Sequence, residues 1–423
     1  MQKQAAYLMV AVLLLGLFLV RESLSGEGAR IEQVYGDWIA TNSSRAMPPA
    51  PAALVGIDDS SLSSEHGWPW SPLEYALFLR AALPFKPEVV AIAPALDWPR
   101  SMPGASRQQM EEYRAALHDC ILQTPRLVLG SELGPVEDSE NVPPLQPVPL
   151  LRNVAGDTGN IPAFADIAAQ ADEDYRLSAS VGFTNFPADQ GIVRKAPLLF
   201  KYRDNEIVPS FILQTLIQWY KLTPDDVKVD VGSRIELGSA AAIPIDGKGM
   251  MNVDYSAGFT EFSEDDLLLA MSEQQQGGKN APPISTDALK GGIVLLARTD
   301  ADSRTLLTPA RSRISYGELC ATALATVLNK AYSRHAGPIF DFAVIAVMMA
   351  ASCFFHHLRR RAFALVSFIA LLCYLMLSLS VYAVALVRLP ILVPLGLLLL
   401  MNFFSLFFPR DVPAPAAPPQ PSA

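Results

Sequence analysis

Cysteine and histidine are scarce in this chain of 423 residues: there are four of one and five of the other. No CxxC pair and no Cys/His cluster occurs, so there is no ligand set from which to build a zinc centre. Cys353 and Cys373 lie in apolar stretches and read as small core residues. Cys120 and Cys320 lie between the terminal apolar segments, far apart in sequence; they would pair only in an oxidising compartment and only if the fold brought them together. The motifs of nucleophilic and phosphate chemistry are missing too: no G-x-S-x-G, no P-loop, no H-E-x-x-H and no Rossmann glycine fingerprint. His66 and His118 stand alone. Positive charge is short, with 33 Lys and Arg against 42 Asp and Glu for a net charge of -9. No basic stripe is interleaved with aromatics, which argues against a nucleic-acid partner. These absences point away from an enzyme, and they imply no metal and no cofactor.

Apolar residues, by contrast, make up 51% of the chain and concentrate at its two ends. Residues 5–20 read AAYLMVAVLLLGLFLV without a charge. This segment suits an uncleaved signal anchor; Ser23 and Ser25 leave a cleaved signal peptide as the alternative. Residues 338–355, 362–387 and 390–408 suit three further helical spans joined by short connections. The positive-inside rule places Lys3, the basic loop 356–361 with Arg359, Arg360 and Arg361, and Arg410 in the cytoplasm. The triplet either sets topology alone or also meets anionic lipid or a partner. This orientation gives a cytoplasmic N-terminus at 1–4, an extracytoplasmic domain at 21–335 and a cytoplasmic tail at 409–423. The tail is Pro/Ala-rich, expected to be disordered, and too short for a catalytic domain.

The stretch 21–335 alternates strand and helix signals, which favours an α/β fold. Strands are expected at 53–57, 89–92, 126–129, 181–186, 192–200 and 292–296. Helices are expected at 72–83, 107–122, 211–220, 265–270 and 318–329. Between them, 132–163 reads as a long irregular insertion rich in Pro, Gly, Asn and Asp, and 274–283 as a polar loop.

Several residues suit either a site or the scaffold. Asp58 and Asp59 stand at a strand end, where α/β folds bind ligands, but they also suit a cap with Ser60. Trp68 and Trp70 flank Pro69 and would either stack on a ligand or pack a rigid loop. Asp189 and Arg194 bracket a turn and would pair across it or face a ligand. Glu318 opens the last helix, where a carboxylate complements the helix dipole. Asn329, Lys330 and Asp341 lie on the path from that helix into the first C-terminal span, and Asp341 is an ionisable group at the membrane edge.

In order and spacing, this chain resembles the CHASE2 extracytoplasmic sensory domain of bacterial receptors. The resemblance rests on VGIDDSSL at 55–62, WPW at 68–70, VGFTNFPADQGIVRKAPLL at 181–199, GGIVLLARTD at 291–300, Thr308-Pro309 and GELCATALATVL at 317–328. Three closing spans complete it. It implies a mixed α/β sensor domain with a helical transmembrane bundle, in the inner membrane of a bacterium. Thr299 joins the candidate ligand residues through it, because Ala297-Arg298-Thr299 stands at the family's Gly-Ala-Thr element. Other positions depart from the pattern: Ala93 or Pro94 replaces an Asp, Pro72 an Arg and Cys320 a His. Family members often continue into a kinase or cyclase, whereas a sensor without its own output is expected here. It would detect an extracytoplasmic ligand or protein and act through a separate kinase, cyclase or regulator; the family also suggests a homodimer. The alternative is a structural protein that docks another envelope protein.

Overall fold

The computed structural model describes residues 2–407 except 25, 44, 46, 64–66, 99–105, 135–148, 187–190, 204–205, 276–285 and 355–359. Asp189, Arg359, His66, the 409–423 tail and most of the expected polar loop lie outside the described residues. The chain forms two compact units. One is Ala46–Tyr332; the other combines Met1–Arg45 with Ser333–Ala423.

The first unit is mixed α/β. Its main sheet contains β1 (Ala52–Ile57), β2 (Val89–Ala95), β3 (Leu127–Gly134), β4 (Asp166–Ala169), β5 (Ser180–Phe183), β6 (Thr260–Ser263) and β7 (Ile293–Arg298). The spatial order is β6-β1-β7-β2-β3-β4, and β5 also pairs with β3. All pairings are parallel except β3–β4. Strands buried on both faces need continuous apolar runs, and β1 is Ala-Ala-Leu-Val-Gly-Ile with every residue buried.

The helices of both units are numbered along the chain: α1 (Gln2–Ser23), α2 (Gly26–Asn42), α3 (Asp59–Ser63), α4 (Pro72–Ala82), α5 (Arg107–Gln123), α6 (Glu173–Leu177), α7 (Phe211–Trp219), α8 (Glu264–Gln275), α9 (Tyr316–Leu328), α10 (Pro338–Phe354), α11 (Arg360–Ala385) and α12 (Leu392–Phe407). Alternate strand residues divide between two cores. Val55, Ile92, Leu129 and Leu296 face Phe78 and Leu79 of α4, Leu117 and Ile121 of α5 and Leu267 of α8. Leu54, Ala91, Val128 and Leu295 face Phe211 and Leu216 of α7 and Leu319 and Leu324 of α9. Helices thus cover both faces of the sheet. The period-two split also settles the cysteines: Cys120 and Cys320 belong to opposite faces, and both thiols are free.

Some sequence expectations shift. Residues 192–200 do not form one strand. Ile192 makes an isolated bridge to Leu307, Lys195–Pro197 pairs with Met250–Asn252, and Leu199–Tyr202 belongs to a third sheet. Pro197 has no N–H to extend a ladder, and Leu198 N donates instead to Gly249 O at 3.0 Å. Strand β3 continues to Gly134, into the expected insertion, where Asn153–Ala155 also pairs with Val227–Asp230. The meander of Val227–Asp230, Arg234–Leu237 and Ala241–Pro244 lies where no strand is expected. Yet Val227-Lys228-Val229-Asp230 alternates buried and exposed with the period of a strand.

The second unit gathers the terminal helices around Val12, Ile345, Phe363, Val393 and Leu397. Residues 26–42, expected in the extracytoplasmic domain, form α2 within this unit. Glu32 of α2 accepts hydrogen bonds from Ile391 N and Leu392 N at 2.9 and 2.6 Å, so it caps α12. Among the described residues, one helix, Arg361–Ala385, is long and apolar enough to cross a membrane. Met9–Ser23 and Gly26–Asn42 meet the same test together but bend by 75°; Ile339–Ala351 and Leu392–Phe404 are apolar but shorter.

Candidate functional site

A cavity of about 460 Å³ opens at the carboxyl ends of β7, β2 and β3. Parallel α/β sheets place ligand sites at such ends, because the loops there diverge towards opposite faces.

A bulge in β2 shapes one wall. Ile92 pairs with Leu129, but the next pairing is Ala95 with Gly130, so Ala93 and Pro94 loop out of the ladder. Pro94 is tolerated in this central strand because the bulge asks no N–H of it. Gly130 is required opposite: a Cβ there would lie 2.0 Å from Ala93 O. The chain continues through exposed Asp97 to buried Trp98, whose Nε1 donates to Trp70 O at 2.6 Å. Trp70, Tyr75 and Trp98 stack edge to face at centroid separations of 5.5 and 5.6 Å. The Trp68–Pro69 peptide is cis.

The opposite wall follows β7. Arg298 grips Asp300 in a two-pronged ion pair, Nε to Oδ1 at 2.8 Å and Nη2 to Oδ2 at 2.6 Å. Asp300 is only 2% exposed. The Arg298 guanidinium also lies 4.2 Å from the Trp68 ring centroid, and that ring is 39% exposed at the cavity. Arg304 donates to Phe186 O at 3.1 Å and has no carboxylate partner among the described residues. Ser303 Oγ is buried without a hydrogen-bond partner.

Helix α9 then begins under the cavity floor. Ser315 and Glu318 form a reciprocal capping box: Ser315 N donates to Glu318 Oε2 at 2.6 Å, and Glu318 N to Ser315 Oγ at 3.1 Å. The cap sets Tyr316 and Gly317 on the lining. Gly317 touches β7 so closely that a Cβ would lie 2.6 Å from the Ala297 Cβ. Burial raises the Tyr316 hydroxyl well above its ordinary range, Cys320 and Glu132 push it further, and Arg304 opposes them. Burial pushes the Cys320 thiol up to about 12. Neither group ionises near neutral pH, so both stay hydrogen-bonding groups rather than charges.

The residues singled out from sequence distribute unevenly. Trp68 and Trp70 line the cavity. Thr299 is not on the lining; its N–H donates to Ile57 O at 3.0 Å. Asp59 Oδ1 accepts from Ala301 N at 3.2 Å and so ties β1 to the loop after β7. Asp58 caps α3, accepting from Ser60 Oγ at 2.6 Å and Ser61 N at 2.9 Å. Burial raises its carboxyl, but these hydrogen bonds outweigh burial and hold it below the usual range. Glu318 is engaged in the capping box. Arg194 lies off the lining, donating to Ile192 O at 3.4 Å. Asn329 ends α9 and donates to Pro48 O at 3.3 Å. Lys330 is left-handed at φ 52 and borders a separate cavity of about 380 Å³ with Tyr332. Asp341 belongs to the terminal-helix unit, where it is 8% exposed. Arg361 lies in the first turn of α11.

Sequence reasoning missed Tyr75, Asp97, Trp98, Glu132, Arg304 and Tyr316 on the lining. One signal was available for Asp97 and Trp98: both lie a few residues beyond the strand expected at 89–92, at the end where α/β folds bind ligands. Among the described residues no group of three or more His, Cys, Asp or Glu is arranged to hold a metal ion.

The model of the CHASE2 domain family matches residues 9–355. No curated protein matches the chain, and no solved structure does.

Proposed function

The chain belongs to the CHASE2 domain family, and we propose that it is a multi-pass membrane sensor whose α/β unit faces the extracytoplasmic side and binds its cue in the strand-end cavity. One observation carries this reading. The cavity's walls come from separate strand ends, and Tyr316 and Gly317, the first residues of α9, belong to the lining. A cue held there bears on the helix whose end lies ten residues before α10 in the chain. Four spans, made by residues 5–20, 338–355, 362–387 and 390–408, would anchor the unit. A separate kinase, cyclase or regulator would supply the output.

Two experiments test this. Ser239→Cys, on an exposed turn, should react with a membrane-impermeant maleimide in spheroplasts; labelling only after lysis would sink the topology. Flexible glycines inserted between Asn329 and Pro338 should uncouple the output of a co-expressed partner, and an unchanged output would refute rigid transmission through that junction.

A further inference from the structure

The cavity's charged groups specify more than a binding place. Arg298 is fully engaged by Asp300 and Trp68. Three other charged side chains on the lining, Arg304, Glu132 and Asp97, are exposed to it and have no ion-pair partner among the described residues. Arg304 comes from the loop after β7; Glu132 comes from β3 and Asp97 from the chain just beyond β2. Arg304 and Glu132 line the same cavity as Tyr316, and they act with opposite sign on its hydroxyl. They form no ion pair with each other.

An anion would satisfy Arg304 but meet two carboxylates. A simple cation would satisfy the carboxylates and leave a guanidinium facing it. A ligand carrying both charges satisfies all three groups at once. Resting on the reading of this cavity as the sensor's site, we infer that its ligand is a zwitterion with a free amine and a free carboxylate, of the α-amino acid or short-peptide class. Arg304 receives the carboxylate, a pairing its planar fork favours. Glu132 and Asp97 receive the ammonium. Trp68 and Tyr316 offer aromatic surface to the rest of the ligand. A volume of about 460 Å³ suffices for such a molecule.

Tryptophan fluorescence of the full chain in lipid nanodiscs reads this out, since Trp68 lies at the cavity. Each common L-α-amino acid is titrated singly; for the strongest binder, its decarboxylated amine and its N-acetyl derivative follow. At least one amino acid should give a saturable change. Each derivative should bind about ten- to a hundredfold more weakly, the loss of one charge-assisted contact. Arg304→Gln should erase the preference for the amino acid over its amine, and Arg304→Lys should restore part of it. Glu132→Gln with Asp97→Asn should erase the preference over the N-acetyl form. Unfolding midpoints of these variants separate lost contacts from lost folding. Failure of every amino acid to bind, or equal binding of a derivative, overturns the zwitterion. If the amine or the N-acetyl form alone binds and Ala95→Trp, which fills the cavity, abolishes that binding, the sensor site stands and only the ligand class falls. If nothing binds and Ala95→Trp leaves partner output unchanged, the site falls too.

Discussion

Replacing Arg298 with Met should destabilise the α/β unit more than any single change on the exposed surface. The substitution keeps the aliphatic volume and removes the guanidinium. Asp300, 2% exposed, then loses both of its short ionic hydrogen bonds. Stranding a buried charge in this way costs about 3–5 kcal/mol. The guanidinium also loses its stack on Trp68, which contributes about 1 kcal/mol at a half-exposed site. In the double variant Arg298→Met with Asp300→Asn, no charge is stranded, and the cost should fall to about 2 kcal/mol. At about 2–4 °C per kcal/mol for a unit of this size, the single variant should melt roughly 10 °C lower, with the double variant between it and the parent. Differential scanning fluorimetry of the full chain in detergent, with Asp300→Asn alone closing the cycle, measures these differences. A single variant within about 1 kcal/mol of the parent would refute the argument. A double variant as unstable as the single one would show that stranding is not the cause.

Glu264 is held up to about 7 from 4.5, first by burial and then by Asp265, Glu74 and Asp58. Because the folded value lies above the unfolded one, its contribution to stability is full below pH 4.5 and is lost as pH rises through about 7. Unscreened, that shift is worth about 3 kcal/mol; partial exposure reduces it to about 1–2 kcal/mol, so Glu264→Gln should flatten the decline between pH 5 and 8 in unfolding titrations. Gly317→Val drives a branched side chain into Ala297, where even a Cβ would sit at 2.6 Å. It should cost about 1–3 kcal/mol and speed hydrogen exchange in the first turn of α9. Ser315→Ala removes one half of the capping box and should cost about 1 kcal/mol in the same melting assay, while Ser315→Thr should cost less than Ala.

The fold was legible where apolar runs were long enough to be buried on both faces, as in β1, β2 and β7. It was also legible in α4, α5 and α7, whose bounds fall within a residue of the helices expected at 72–83, 107–122 and 211–220. Helix α9 is apolar on nearly every side, the mark of a helix enclosed in a core. The meander from Val227 was less visible because its strands span only four residues each, and short alternation is easily read as loop. The site was half legible. Trp68 and Trp70 stood out as a motif, and Asp58 and Asp59 as a strand end. Glu132 and Arg304 carry no local signal, because their significance lies in what they fail to pair with, and only the sheet order brings β3 and the loop after β7 to one cavity. Asp58 and Glu318 drew attention for a sound reason, a carboxylate at a helix start, and that reason is also what engages them in capping.

The same arrangement limits how strongly a cue can act. A ligand at a hundred times its dissociation constant supplies about 2.7 kcal/mol to the state that binds it. It can therefore switch α9 only between packings whose free energies differ by about that much, which is roughly a hundredfold change in population. A helix this enclosed has little room for continuous deformation, so such packings would be discrete settings of its first turn against β7. The contact of Gly317 with Ala297 marks where those settings would differ. The loop from Thr299 to Arg304 is pinned to β1 by the Thr299 N–H and by Asp59, so it resists independent drift. A ligand bridging Arg304 and Glu132 thus acts on the separation between β3 and the pinned loop after β7, not on ordering a loose loop. It follows that Asp59→Ala, which frees the loop, should weaken partner output at saturating cue more than it weakens binding of the cue. Equal losses in the two would place the coupling elsewhere.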